Sequence, residues 1–164
     1  MTITVGINGF CRIGRCTLSH IAQSGRNDIT VTKVNATGPL DTAAHLLRYD
    51  SVHGRFPGEV TIGDGTMDLG RGPMQMFSTY DANALDWSGC DVVLECTGIF
   101  TSKEKCQAHL DNGSSRVLIS APGTDADKTI VFGVNDDTLT SEDIVVSNAS
   151  CTTNCLSPVA KVLN

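Results

Sequence analysis

Apolar runs along the chain alternate with stretches of helical periodicity. Buried strands are predicted over residues 2–7 and 29–34, and a helix over residues 12–23 separates them. Short apolar runs that turn residues bound, with helices between them, are typical of a parallel sheet covered on both faces. The first 34 residues therefore predict a β-α-β unit. The alternation of strands with helices is typical of an α/β fold.

The rest of the chain continues this alternation with one exception. Further strands are predicted over residues 74–77, 91–96, 116–119, 129–132 and 144–146, helices over residues 40–49 and 102–112, a loop over 50–56, and a turn or short helix over 135–139. The exception is a hairpin, predicted where residues 59–62 and 66–69 alternate around Gly63-Asp64-Gly65. We expect a Rossmann-type, doubly wound, mostly parallel sheet with a small antiparallel insertion.

Composition narrows the class of protein. The chain has 164 residues, of which 40% are hydrophobic and 18% charged, which suits one folded domain. A net charge of −6 argues against a general nucleic-acid surface. With no membrane-length apolar run and no signal-peptide pattern, a cytoplasmic location is expected. Seven cysteines, an odd number, are then expected to be free thiols.

The turn after the first strand is rich in glycine and lies where a dinucleotide-binding fold holds the pyrophosphate. Asn8 and Gly9 begin it, and Arg12 and Ile13 offer backbone donors at the helix start. The GxGxxG pattern would need glycine at position 11, where this chain has Cys11. One interpretation is a tolerated thiol turned away from the cofactor, and the other is weakened binding or a redox-sensitive lock.

The second strand ends in Asn35-Ala36, where NAD-binding proteins commonly carry an acidic residue that accepts from the ribose hydroxyls. Ala36 removes both those hydrogen bonds and the repulsion of a 2′-phosphate. The hypothesis is NADP use or relaxed choice between NAD and NADP, with Thr37 bonding a phosphate and Lys33 or Arg12 providing charge. The alternative is that Ala36 merely weakens NAD binding.

Two further segments carry candidate chemistry. Thr97-Gly98 follows a core strand and is expected to line the nicotinamide side of a cofactor, since ligands bind at the carboxyl ends of such strands. Later, residues 147–155 read SNASCTTNC between an apolar strand and a helix. Cys151 then lies at a helix start, with Ser150 as N-cap and the Thr152 and Thr153 hydroxyls in the same turn.

A thiol held at a helix start is easier to ionise, and the thiolate is a nucleophile. The alternatives are that Cys151 is a small buried apolar residue, as we expect for Cys155, or that the two cysteines bind a metal. No further Cys or His follows to complete a metal site, so none is expected.

Four segments together resemble the phosphorylating glyceraldehyde-3-phosphate dehydrogenases. They are residues 5–10 (VGINGF), 45–54 (HLLRYDSVHG), 95–100 (ECTGIF) and 147–155, and they occur in the order of that family. The resemblance covers the family's amino-terminal half. It implies a dinucleotide-binding domain over residues 1–150 and the first turns of the catalytic-domain helix over residues 151–164, with the remainder of that domain absent.

The resemblance implies a role for several residues. Cys151 would attack the carbonyl of a phosphorylated aldehyde, and inorganic phosphate would release an acyl phosphate from the resulting thioester. Ser150, Cys151 and Thr152 match substrate-site positions. Ser120 matches a cofactor-binding hydroxyl, and Tyr80 stands where the family has a basic residue near adenine. It also implies a homotetramer that acts in glycolysis, gluconeogenesis or carbon fixation.

The family's base is a histidine, and none of His20, His45, His53 and His109 falls at its motif position. The chain also stops inside its last predicted helix, so we expect little activity from the polypeptide as given. A non-catalytic NAD(P)-binding or assembly module and an erythrose-4-phosphate dehydrogenase remain alternatives.

Overall fold

A computed structural model describes residues 2–164 of the chain. The strands are β1 (Ile3–Asn8), β2 (Ile29–Asn35), β3 (Tyr49–Asp50), β4 (Gly54–Arg55), β5 (Thr61–Gly63), β6 (Thr66–Asp68), β7 (Met74–Phe77), β8 (Val92–Glu95), β9 (Arg116–Ile119), β10 (Lys128–Thr129) and β11 (Val145–Ser147). The helices are α1 (Arg12–Gln23), α2 (Leu40–Arg48), α3 (Lys103–Asp111) and α4 (Cys151–Leu163), with 3-10 turns at Ala82–Ala84 and Asp136–Thr138.

Nine of the strands within residues 2–164 form one sheet in the order β10-β11-β9-β8-β1-β2-β7-β6-β5. The pairs from β10 to β7 are parallel, and only the β5–β6–β7 end is antiparallel. The chain moves outward from β1 through β2 to β7, then crosses back to β8 and continues to β9 and β11. This reversal beside β1 is the switch point of a doubly wound fold, which confirms the predicted fold class.

Strand β1 shows how the two faces of the sheet are built. Val5 and Ile7 are buried in the core that α1 and α2 cover. Gly6 lies between them and faces the opposite side, where a Cβ would come within 2.6 Å of the Trp87 ring. Trp87 is fully buried there with Val93. Side chains alternate along the strand, so successive residues face the two different cores on opposite sides of the sheet.

Three local predictions are wrong. Residues 50–56 are not a loop throughout, because β3 and β4 pair as a small antiparallel ribbon. The strand predicted over 129–132 ends at Thr129, and Phe132 is exposed. Cys155 is exposed rather than buried, since α4 has no buried residue in the described chain. All seven cysteines are free, and none of the helices within residues 2–164 combines the length and apolar character needed to cross a bilayer.

Candidate active site

A cavity of about 330 Å³ opens at the carboxyl ends of β1, β2 and β8, beside the switch point of the sheet. Its wall is formed by Asn8, Gly9, Phe10, Cys11, Asn35, Ala36, Thr37, Gly38, Thr42, Ala43, Leu46, Thr79, Tyr80, Ala82, Leu85, Thr97, Ile99 and Phe100. None of these lining residues is charged. The cavity lies where doubly wound sheets bind their ligands.

Two glycines bring the start of α1 to the edge of this cavity. Gly9 has φ +97°, and a Cβ there would lie 2.7 Å from the backbone nitrogen of Thr97. Gly14 packs so tightly that its Cβ would come within 2.2 Å of the Gly9 carbonyl oxygen. The first and third glycines of the GxGxxG pattern are therefore required by packing.

The position of the missing middle glycine is filled without blocking the helix start. Cys11 is exposed and lines the cavity, and its thiol donates to the Cys96 carbonyl oxygen at 2.9 Å. No side chain caps the first turn of α1, whereas Ser102 caps α3. The free N–H groups and the helix dipole at this end suit an anion such as a pyrophosphate. These features fit a dinucleotide.

The basic residues suggested for a 2′-phosphate are engaged elsewhere. Lys33 bonds to the Asp86 carboxylate at 2.8 Å, and Arg12 pairs with Asp50 at 3.1 Å. Lys33 and Ser88 hold the pKa of Asp86 well below its usual range. Neither Lys33 nor Arg12 lines the cavity. That they supply charge to a bound phosphate stays a prediction, which would require both side chains to leave these carboxylates.

The structure gathers part of the predicted cofactor set in one place. Lining the cavity are Asn8, Gly9, Asn35, Ala36, Tyr80 and Thr97; outside its wall are Arg12, Ile13, Gly98 and Ser120. Tyr80 stands at the mouth and is 84% exposed. The Ser120 N–H donates to the Glu95 carbonyl oxygen at 3.0 Å, and burial raises the pKa of the Cys96 thiol to about 11.

Beneath the cavity lies a buried polar cluster that the sequence reasoning missed. Glu95 and His109 are at most 1% exposed, and their side chains meet at 3.0 Å. Glu95 also accepts hydrogen bonds from Asn8 and Thr97, both in the cavity wall. A carboxylate at the end of an otherwise apolar strand is the sequence feature that could have indicated this cluster.

The cysteine turn begins at the same edge of the sheet, where β11 ends. β9 alone separates β11 from β8, so the two strands lie about 10 Å apart. Ala149 has φ +57°, a left-handed conformation that reverses the chain between strand and helix. The Ser147 hydroxyl accepts from the Ala149 N–H at 3.1 Å and stabilises this turn.

Cys151 is the first residue of α4, as predicted, and it is exposed. Ser150 is the N-cap, and its hydroxyl accepts from the Thr153 N–H at 3.0 Å. The same hydroxyl lies 2.9 Å from Thr152 Oγ1 and 2.7 Å from Thr153 Oγ1. The three predicted substrate-site residues are therefore consecutive and surface-facing at a helix start.

The four histidines lie elsewhere in the described chain. His109 is buried, His45 packs on the Tyr49 ring at 5.0 Å, and the side chains of His20 and His53 line a second cavity beside α1 and α2. None of them forms a hydrogen bond with Cys151 within residues 2–164.

Comparison with known proteins agrees with this geometry. The family model for the glyceraldehyde 3-phosphate dehydrogenase NAD binding domain matches residues 3–103. The chain is 62% identical to a glyceraldehyde-3-phosphate dehydrogenase of Cereibacter sphaeroides and 57% identical to one of Xanthobacter flavus. Both alignments cover 100% of this chain but 49% and 50% of those proteins, so the chain spans about half their length. The chain belongs to the glyceraldehyde-3-phosphate dehydrogenase family, and residues 3–103 match its NAD-binding domain.

Proposed function

We propose that the chain binds NAD or NADP in the cavity and contributes the nucleophile of a phosphorylating aldehyde dehydrogenase acting on glyceraldehyde 3-phosphate. The observation that carries the proposal is one shared edge of the sheet. It holds a cavity beside an uncapped helix start and, two strands away, an exposed cysteine at the N-terminus of α4. Residues 1–150 form the dinucleotide-binding domain in this proposal, and residues 151–164 begin the helix of the catalytic domain.

The proposed chemistry starts at Cys151. Its thiolate attacks the aldehyde carbonyl carbon, a C–S bond forms, and the carbonyl oxygen becomes an oxyanion. The backbone N–H of Cys151 at the helix start can donate to that oxyanion. As the oxyanion re-forms its C=O bond, hydride would leave that carbon for a nicotinamide held in the cavity, and a thioester on Cys151 would remain. Attack of inorganic phosphate on the thioester then releases an acyl phosphate and restores the thiolate.

Ser150 and Thr152 support this step by their positions. The Ser150 hydroxyl is engaged by the Thr153 N–H, which keeps α4 starting at Cys151. The hydroxyl of Thr152 lies in the same exposed turn, 2.9 Å from the Ser150 hydroxyl, beside the proposed nucleophile. Neither residue can remove the thiol proton, so the reaction needs a base besides these groups.

For the cofactor we propose relaxed choice between NAD and NADP. The cavity wall offers no carboxylate to hold the ribose hydroxyls or repel a 2′-phosphate, and no cation to favour one. Ala36 and Thr37 stand at the end of β2, where that choice is usually made. Calorimetric titration of the chain with each cofactor tests this. Dissociation constants within about tenfold of each other are expected, and NAD binding more tightly than that overturns the relaxed choice.

A non-catalytic NAD(P)-binding or assembly module is the second candidate, favoured because no histidine side chain bonds to Cys151 in the described residues. Reduction of NAD or NADP that requires both aldehyde and phosphate supports the enzyme; cofactor binding without it supports the module. Glyceraldehyde 3-phosphate and erythrose 4-phosphate, assayed separately, distinguish the two aldehyde substrates. Assembly into a homotetramer belongs to the enzyme proposal and is tested by analytical ultracentrifugation.

A further inference from the structure

Glu95 is a buried carboxylate directly beneath the cofactor cavity, and it does not line the cavity itself. A buried carboxylate is strongly unfavourable unless donors surround it. Glu95 Oε2 accepts from Asn8 Nδ2 at 2.6 Å and lies 3.0 Å from His109 Nε2. Glu95 Oε1 accepts from the Thr97 N–H at 2.7 Å and from the Thr97 hydroxyl. Four donors therefore saturate the carboxylate.

Trp87 fixes the direction of the bond between His109 and Glu95. An indole N–H can only donate, and that of Trp87 donates to His109 Nδ1 at 3.1 Å. Nδ1 must therefore accept, so the ring proton lies on Nε2 and points at Glu95. Trp87 and His109 are both fully buried. Every polar side-chain atom from the indole to the carboxylate has a partner, and a fully satisfied buried network is rigid.

The network ends on residues that do line the cavity. The Thr97 hydroxyl, besides donating to Glu95, accepts from the Ile99 N–H at 3.0 Å, which fixes the loop after β8. On the other side, Asn8 Oδ1 accepts from Asn35 Nδ2 at 2.8 Å. The wall residues of β1, β2 and β8 are thus connected through one carboxylate.

We propose that Glu95, held by His109 and Trp87, is a positioning residue that orients Thr97 and Asn8 toward bound NAD or NADP and so sets the affinity for the cofactor. The inference deepens the proposed function and rests on it. None of the three residues touches the cavity, so their effect on binding must pass through the wall.

Two substitutions separate positioning from general stability. Glu95→Gln keeps the size but turns one oxygen into a donor, which then faces Thr97 on one side or Asn8 and His109 on the other. Thr97→Val, at a half-buried residue, removes only the hydroxyl. The control is Val117→Ala, in the separate core under α3, which lowers stability without touching the network.

Three quantities are measured: the dissociation constants for NAD and NADP, the free energy of unfolding in urea, and the emission of Trp87, the only tryptophan in the sequence. Glu95→Gln and Thr97→Val are each expected to weaken cofactor binding by about tenfold or more. The double variant is expected to bind no more weakly than the weaker single one, because both act through one contact. Val117→Ala is expected to bind normally. Cofactor binding should change Trp87 emission in the wild type and not in Glu95→Gln.

The inference is overturned if folded Glu95→Gln binds like the wild type, or if the losses of the two single variants multiply in the double variant. If Glu95→Gln does not fold, normal affinity and a normal Trp87 response in Thr97→Val overturn it equally. A wild-type chain that binds neither cofactor instead overturns the proposed function, and this inference with it. If the wild type binds the cofactor and both variants bind it equally well, only the role of the Glu95 network is overturned, and the proposed function stands.

Discussion

The cofactor cavity and the cysteine turn lie at one edge of the same sheet but are stabilised by different means. Below the cavity, side chains from β1, β8 and α3 form a closed network around Glu95, and the wall is fixed from beneath. At the cysteine turn the backbone does the positioning, through the left-handed Ala149 and the capping hydroxyl of Ser150. The nucleophile candidate itself has no side-chain hydrogen bond in the described residues and is exposed.

The difference follows from what each region has to do. A binding wall recognises its ligand best when its polar groups are held in one orientation before the ligand arrives. A nucleophile must instead reach a carbon atom, so it needs access and a helix start more than a rigid neighbourhood. Substitutions should therefore act on binding and stability in the first region and on reaction rate in the second.

The largest effect is expected at Cys151. Cys151→Ser keeps the helix start but replaces the thiol with a poor nucleophile, so in a preparation that shows aldehyde-dependent cofactor reduction the rate should fall about 10⁴-fold or more. Cys155→Ser, one turn along α4 and also exposed, is the matched control and should retain most of the rate. Equal losses in the two variants would contradict a catalytic role for Cys151.

The second prediction concerns the turn at the cavity. Gly9 and Gly25 both have positive φ, +97° and +67°, so alanine at either position adds about 1 kcal/mol of backbone strain. Only at Gly9 does the new Cβ meet backbone atoms, at 2.7 Å and 2.8 Å. Urea denaturation should show a loss of about 3 kcal/mol or more for Gly9→Ala and about 1 kcal/mol for Gly25→Ala. Similar losses would mean that the turn is not crowded.

Several features of the fold and site could be predicted because they depend on neighbours in sequence. The start of α4 at Cys151 follows from a hydroxyl residue before a helical period, and the structure confirms the cap. Asn35 and Ala36 line the cavity because they end a parallel strand, and the carboxyl ends of parallel strands share one edge of the sheet. Each of these predictions used only a few consecutive residues.

The missed features depend on contacts between distant residues. Lys33 bonds to Asp86, which is 53 positions away, so no local pattern indicated this contact. Trp87 and His109 meet across 22 positions from separate elements, so no local pattern indicated their bond. The exposure of Cys155 likewise depends on what packs on α4, which its spacing from Cys151 cannot reveal.

The third prediction concerns the preference of the cavity for NAD or NADP, where the expected effect is smaller. Ala36→Asp places a carboxylate at the end of β2, where it can accept from ribose hydroxyls and repel a 2′-phosphate. The ratio of the NADP to the NAD dissociation constant should rise by about tenfold or more. Ala36→Asn, of similar size but uncharged, is the control and should change the ratio less. A ratio unchanged by the aspartate would place the cofactor's ribose away from Ala36.

The smallest effect concerns a buried thiol of the cavity region. Burial raises the pKa of Cys96 to about 11, whereas an unfolded thiol titrates near 8.5. Between these values the folded chain keeps a proton that the unfolded chain has lost, so this contribution is complete below about pH 8.5 and is lost as the pH rises toward 11. Between about pH 8 and 9.5 the free energy of unfolding should fall by about 1 kcal/mol from this residue. Urea denaturation of the wild type and Cys96→Ala at both pH values isolates the contribution of this thiol, because only the wild type carries it. A free energy of unfolding that falls equally in the wild type and Cys96→Ala over this pH range would contradict the contribution of the buried thiol.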